Sequence, residues 1–172
     1  VYSLRVLAGL RERGIALILA SGRHFQDVRG LHAQLGGEGY LISSNGAAVN
    51  DRDLGLVHHC TLDPACVTAL VNDPDFADLH INVYRTQDWL VARPEPYLLG
   101  FHQESGFAYQ VVDLAGIDGT DVLKVFFYGD HRRLAAIEPV IRQRFEGLVS
   151  TTFSLPVTLE VMAKGVSKGA AL

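Results

Sequence analysis

Two cysteines, one methionine and one tryptophan among 172 residues leave little room for several classes of protein. Cys60 and Cys66 are too few for the disulfide framework that staples small secreted domains, and they read as reduced thiols. Positive charge is also scarce: 15 Lys and Arg face 19 Asp and Glu, a net charge of -4, with no dense basic patch. That argues against nucleic acid or an anionic membrane as the main partner. No apolar run approaches the roughly 20 residues of a membrane helix, and the first residues lack a signal-peptide pattern. The expected compartment is the cytoplasm. Internal repeats and low-complexity linkers are absent as well. The sequence leaves the oligomeric state open.

What is present is a chain 48% hydrophobic and 20% charged, suited to one large globular domain or two small ones. Leu4, Leu7, Ala8 and Leu10 recur at helical spacing before Gly14, which reads as the helix C-cap. The chain opens inside a helix and closes in "GVSKGAAL", which reads as a turn and the first turn of another helix. A piece of a longer protein is expected on that ground. From Ile15 to Ala20 an unbroken apolar run predicts a buried parallel strand, followed by a helix over 25–35 and a strand over 40–43. A hairpin follows at "AAVNDRDLGLVHH". The alternation predicts an α/β unit over residues 1–60.

Between residues 61 and 160 the order changes to a helix over 64–72, paired strands at "HINVYR" and "WLVAR", and a polar helix over 96–104. A strand at "VLKVFFYG", a helix over 131–145 and strands at "LVSTTFS" and "TLEVMA" complete it. This pattern predicts an inserted α+β domain with an antiparallel sheet, and residues 161–172 return to the first unit.

Three short stretches carry chemistry. In "ILASGRH" the hydroxyl of Ser21 ends a strand beside Gly22 and Arg23, where backbone N–H groups and a cation suit phosphate oxygens; a helix cap is the other reading of Ser21. In "ISSNGAAV" the Asn45-Gly46 pair is a hairpin signal, and its place after a second strand also makes Asn45 a candidate ligand contact. In "GVSKGAAL" Lys168 falls at the start of a predicted helix, where a cation calls for an anion nearby.

These stretches, with "NVYR", "KVFFYGDH" and "LEVMA", resemble the Cof-type branch of the haloacid dehalogenase-like phosphatases over essentially the whole chain, nearest to bacterial pyridoxal phosphate and sugar phosphate phosphatases. The resemblance implies a partial Rossmann-like core with an inserted α+β cap, and a Mg²⁺-dependent phosphatase acting on a small phosphorylated metabolite through an aspartyl-phosphate. It makes Ser21 the hydroxyl that holds the transferring phosphoryl group and Lys168 the lysine that neutralises it. Asn45 and Gly46, with Gly22 and Arg23, would line the phosphate site, and Arg85 of the cap would contact substrate. The family's two catalytic aspartates and its magnesium ligands find no counterpart in residues 1–172. "GIDGTDVLK" has Gly116 where the nucleophile would stand and reads as a surface turn. The isolated chain is accordingly expected to be inactive, and a non-catalytic binding or regulatory module is the alternative.

Two clusters have plainer readings. His58, His59, Cys60, Asp63 and Cys66 match no common zinc spacing and read as structural. Tyr84 and Trp89 read as core aromatics, or else as a cap surface for a planar ring or sugar. Lys164 is given no role.

Overall fold

The computed structural model describes residues 2–172. The helical spacing near the start becomes α1 (Tyr2–Glu12), followed by β1 (Leu19–Ala20), α2 (Phe25–Gln34), β2 (Leu41–Ser43), β3 (Ala48–Asn50) and β4 (Leu56–His59). These strands form a sheet in the order β1-β2-β3-β4. β1 runs parallel to β2, while β2, β3 and β4 pair antiparallel through two tight connections. The second connection is closed by Asp51, whose carboxylate accepts from the backbone N–H groups of Asp53 and Gly55.

The predicted buried strand over Ile15–Ala20 needs correction. Only Leu19–Ala20 pair as strand, and Ile15 and Ile18 remain 44% and 43% exposed. A buried parallel strand requires partners on both edges and cover on both faces. β1 pairs with β2 alone among the described residues, and α1 buries none of its side chains.

The chain then builds α3 (Pro64–Asn72), β5 (His80–Arg85), β6 (Trp89–Val91), α4 (Pro96–Leu99), β7 (Gln110–Val111), β8 (Val122–Tyr128), α5 (His131–Arg144), β9 (Val149–Leu155) and β10 (Thr158–Ala163). Their sheet has six strands in the order β7-β6-β5-β8-β10-β9, antiparallel except for β6 with β7. The polar helix expected over 96–104 is shorter: α4 gives way to a 3₁₀ turn at Gly100–His102.

Strand periodicity explains how this larger sheet is built. Alternate residues point to opposite faces, so Val83, Val125, Phe127, Leu159 and Val161 form one face, packed under Val67 and Leu70 of α3 and Leu134, Ile137 and Ile141 of α5. Each fully buried side chain of this size contributes about 1.5–3 kcal/mol. The other face presents Tyr84, Lys124, Phe126 and Glu160, all buried, toward the smaller sheet. A small apolar cluster of Ala47, Ala48 and Leu123, with Val166 beside it, seals the two sheets together where the chain passes between them.

Candidate functional site

The loop after β1 and the turn after β2 are clasped backbone to backbone. Asn45 N donates to Ser21 O at 3.1 Å, and Ser44 N donates to Arg23 O at 2.8 Å. Two glycines permit the approach. A β-carbon on Gly22 would lie 2.3 Å from Asn45 Oδ1. Gly46, at φ +103°, lies so close to the C-terminal loop that a β-carbon there would come within 2.3 Å of Ser167 O and 3.0 Å of Lys168 N. The turn itself holds Ser44 and Asn45 at φ 47° and 63°, a conformation that Asn tolerates better than most residues.

Three segments distant in sequence thereby meet, and Gly22, Arg23, Asn45 and Lys168 line one cavity of about 490 Å³. Lys168 lies in a turn of helical form, in keeping with its expected place at a helix start. Val166–Leu172 contains one turn, closed by Ala171 N on Ser167 O at 3.1 Å and Ala170 N on Ser167 Oγ at 3.0 Å. Ser21 is not among the cavity-lining residues. Its Oγ accepts from Arg23 N at 3.1 Å and so shapes the loop. The cap of α2 is His24 instead, whose Nδ1 accepts from Gln26 N at 3.1 Å. The His24 ring is fully buried and its Nε2 lies 2.8 Å from Arg85 O, so Nε2 carries the proton; burial holds its pKa below the ordinary 6.5.

The larger sheet supplies the opposite wall. Tyr84 and Phe126 line it beside Leu98 and Phe101, and Thr152, Ser154 and Thr158 of the adjoining strands β9 and β10 line it as well. Burial and the nearby Asp27 and Glu160 carboxylates push the Tyr84 phenol well above its usual pKa, which keeps it a neutral hydrogen-bonding group. Its OH lies 3.4 Å from His102 Nε2, and His102 Nδ1 lies 2.6 Å from Asp27 Oδ2, so Asp27 of α2 anchors the segment after α4. Ser105 Oγ donates to the other oxygen of Asp27.

Arg85 departs from its expected role. Its guanidinium is bound to Asp88 at 2.8 and 2.5 Å within the β5–β6 hairpin, and it does not line the cavity. A bidentate pair three residues apart forms locally, before any substrate is involved. Trp89 is wholly buried, donating Nε1–H to Asn82 Oδ1 at 3.0 Å, which leaves it the core role.

Two residues that sequence reasoning passed over stand in the cavity wall: Lys124 of β8 and Glu160 of β10, 3% and 5% exposed and paired at 2.8 Å. Each is a single charge in an apolar strand, "VLKVFFY" and "TLEVMA", and that incongruity was the available signal. Glu160 is the one carboxylate lining the cavity, and Lys124 and Asn45 occupy its oxygens. The described residues gather no group of three His, Cys, Asp or Glu side chains fit to hold a metal ion. His58 and His59 lie exposed on β4, Cys66 is buried in α3, and Asp63 caps α3 by accepting from Ala65 N at 2.8 Å. Asp118 is an exposed turn residue accepting from Thr120 N at 3.0 Å. No helix of the described residues is long and apolar enough to cross a membrane.

Comparison with known proteins adds to this geometry. The family described as haloacid dehalogenase-like hydrolase matches residues 2–172. A Haemophilus influenzae protein named "Putative phosphatase" is 35% identical over 173 residues, which cover 99% of this chain and 64% of that protein. The chain thus spans less than two thirds of that relative. Among solved structures, a haloacid dehalogenase-like hydrolase from Bacteroides thetaiotaomicron superposes with a TM-score of 0.85 at 23% identity, over 98% of this chain and 65% of the other. One from B. subtilis gives 0.80 at 20% identity, over 97% and 68%. A HAD subclass IIB sugar phosphatase gives 0.78 at 15% identity, over 98% and 64%. At these identities the structural matches speak for the fold.

Proposed function

The chain belongs to the haloacid dehalogenase-like hydrolase family, and from that premise we propose that it is the phosphate-holding part of a phosphatase acting on small phosphomonoesters. The observation that carries this reading is the meeting of the Ser21–Arg23, Asn45–Gly46 and Ser167–Lys168 loops at one cavity, with Arg23, Lys124 and Lys168 on its lining and its one carboxylate, Glu160, paired with Lys124. Arg23 and Lys168 balance a phosphate dianion, and phosphoryl transfer depends mainly on such positioning and charge. Ser21 acts on the loop's shape through Arg23 N. In this reading the larger sheet and its helices, roughly residues 61–160, form the cap that selects the leaving group.

Sugar phosphates are the favoured substrates, supported by the aromatic rings and hydroxyl-bearing residues that line the cavity together and by the sugar phosphatase among the structural relatives. Pyridoxal 5'-phosphate is the other candidate. Mg²⁺ and an aspartyl-phosphate intermediate belong to the proposal for the whole protein; neither the nucleophile nor the metal ligands are assigned to residues 1–172. The cytoplasm is the proposed compartment.

Calorimetric titration with inorganic phosphate tests the reading. The chain is expected to bind it, and Lys168→Ala is expected to weaken binding at least tenfold. Absence of binding, or binding indifferent to that substitution, overturns the phosphate site. Turnover of p-nitrophenyl phosphate by the purified chain with Mg²⁺, lost in Lys168→Ala, would place a nucleophile within these residues after all.

A further inference from the structure

The Lys124–Glu160 pair reaches beyond its own sheet. Lys124 Nζ donates to Glu160 Oε1 at 2.8 Å and also to the carbonyl of Gly22 at 2.9 Å. Glu160 Oε2 accepts from Asn45 Nδ2. Gly22 and Asn45 belong to the two clasped loops, so one ion pair from β8 and β10 grips both. The polarity is complementary: the cation meets a carbonyl and the carboxylate meets an amide N–H. A buried ion pair repays its desolvation only when its remaining donors and acceptors are also satisfied, and here those partners lie on the smaller sheet.

This grip decides how Asn45 is turned. A primary amide is nearly symmetric in shape, so its hydrogen bonds determine which end faces which way. With Nδ2 on Glu160 and within 3.3 Å of Met162 Sδ, Oδ1 is left over Gly22. Lys124 meanwhile lies 4.9 Å from the centre of the Tyr84 ring, which confines the ammonium from the side of the cavity wall.

We propose that Lys124 and Glu160 are positioning residues for the phosphate site: an ion pair carried by the larger sheet, holding the Gly22 carbonyl and the Asn45 amide, fixes how the Ser21–Arg23 and Asn45–Gly46 loops stand around the cavity that receives the anion. The inference rests on the phosphate reading above. It makes anion binding in one unit depend on the docking of the other.

Phosphate calorimetry on the 172-residue chain, with unfolding followed by Trp89 fluorescence and the Asn45 side-chain amide followed by NMR, tests it. The Asn45 resonance is identified by its loss in Asn45→Asp. Glu160→Gln and Lys124→Met are each expected to weaken phosphate binding at least tenfold, and Glu160→Gln to move the Asn45 resonance. The exchanged pair, Lys124→Glu with Glu160→Lys, keeps an ion pair between the strands but turns a carboxylate toward the Gly22 carbonyl. It is expected to recover stability relative to the single variants without recovering phosphate. Recovery of both would reduce the pair to a structural role and overturn the inference. Where the exchanged pair does not fold, Glu160→Gln decides: weakened phosphate together with a moved resonance supports the inference, and either without the other overturns it. Phosphate binding lost in Lys168→Ala but intact in Glu160→Gln defeats this inference alone. No binding by the unaltered chain, or binding indifferent to Lys168→Ala, defeats the phosphate reading beneath it.

Discussion

His24 joins the two halves of the molecule through a single ring. Nδ1 caps α2, Nε2 donates to Arg85 O, and the ring stacks on Phe107 with centroids 4.3 Å apart. Both nitrogens are committed in the neutral form, and protonation would abolish the cap. Because burial lowers the folded-state pKa below 6.5, the unfolded chain binds the proton more readily. Stability from this group is therefore complete above about pH 6.5 and declines as pH falls toward the folded-state value, each pKa unit corresponding to about 1.4 kcal/mol. Urea unfolding between pH 8 and pH 5 is expected to show this decline. In His24→Asn, whose amide can still cap the helix, the His24 share should vanish, and the difference between the two proteins should narrow with acidification. His80, also held low by burial, is common to both and cancels. Parallel pH profiles would refute the assignment.

At the scale of single elements, caps and short ion pairs set the boundaries. α5 begins where the Asp130 carboxylate accepts from Arg132 N at 2.9 Å and Arg133 N at 3.2 Å, and its Leu134, Ile137 and Ile141 cover the larger sheet. Asp130→Ala is expected to cost about 1 kcal/mol in denaturant unfolding, with an unchanged slope. The β5–β6 hairpin shows how a local pair can mislead. Arg85 looked available for substrate because a guanidinium suits phosphate, yet Asp88 lies three residues on and takes it. The Ser-Gly-Arg and Asn-Gly stretches were legible for the opposite reason: small, polar and conformationally permissive residues after a strand have few structural uses besides a tight loop.

Across the whole molecule, buried polar contacts join the halves beside the Ala47–Ala48–Leu123 cluster. Asp27 on α2 holds His102 and Ser105 from the segment after α4, with the Asp27 carboxylate fully buried. Asp27→Ala would leave buried His102 Nδ1 unsatisfied, at a cost of about 1–3 kcal/mol, while the Ser105 hydroxyl keeps the His102 carbonyl as its acceptor. Hydrogen exchange is expected to quicken over residues 96–106 and the radius of gyration to rise, while β8 and β10 keep their protection. Exchange unchanged in that segment would show that other contacts carry the docking.

The sequence by itself determined the elements and the chemistry of their loops. Periods of two and of about 3.6 mark strands and helices because side-chain direction follows backbone geometry alone, and loop residues report the turns they must make. It also predicted the change from a unit with parallel pairing to a largely antiparallel sheet. The tertiary structure decided what depends on pairing across distance. It left Ile15 and Ile18 exposed, because strand burial is a property of neighbours and β1 has one among the described residues. It put Lys124 against Glu160, 36 residues away, and both against Gly22 and Asn45. A buried charge is stable only with its partner, and no local pattern names a partner that a fold brings from another sheet.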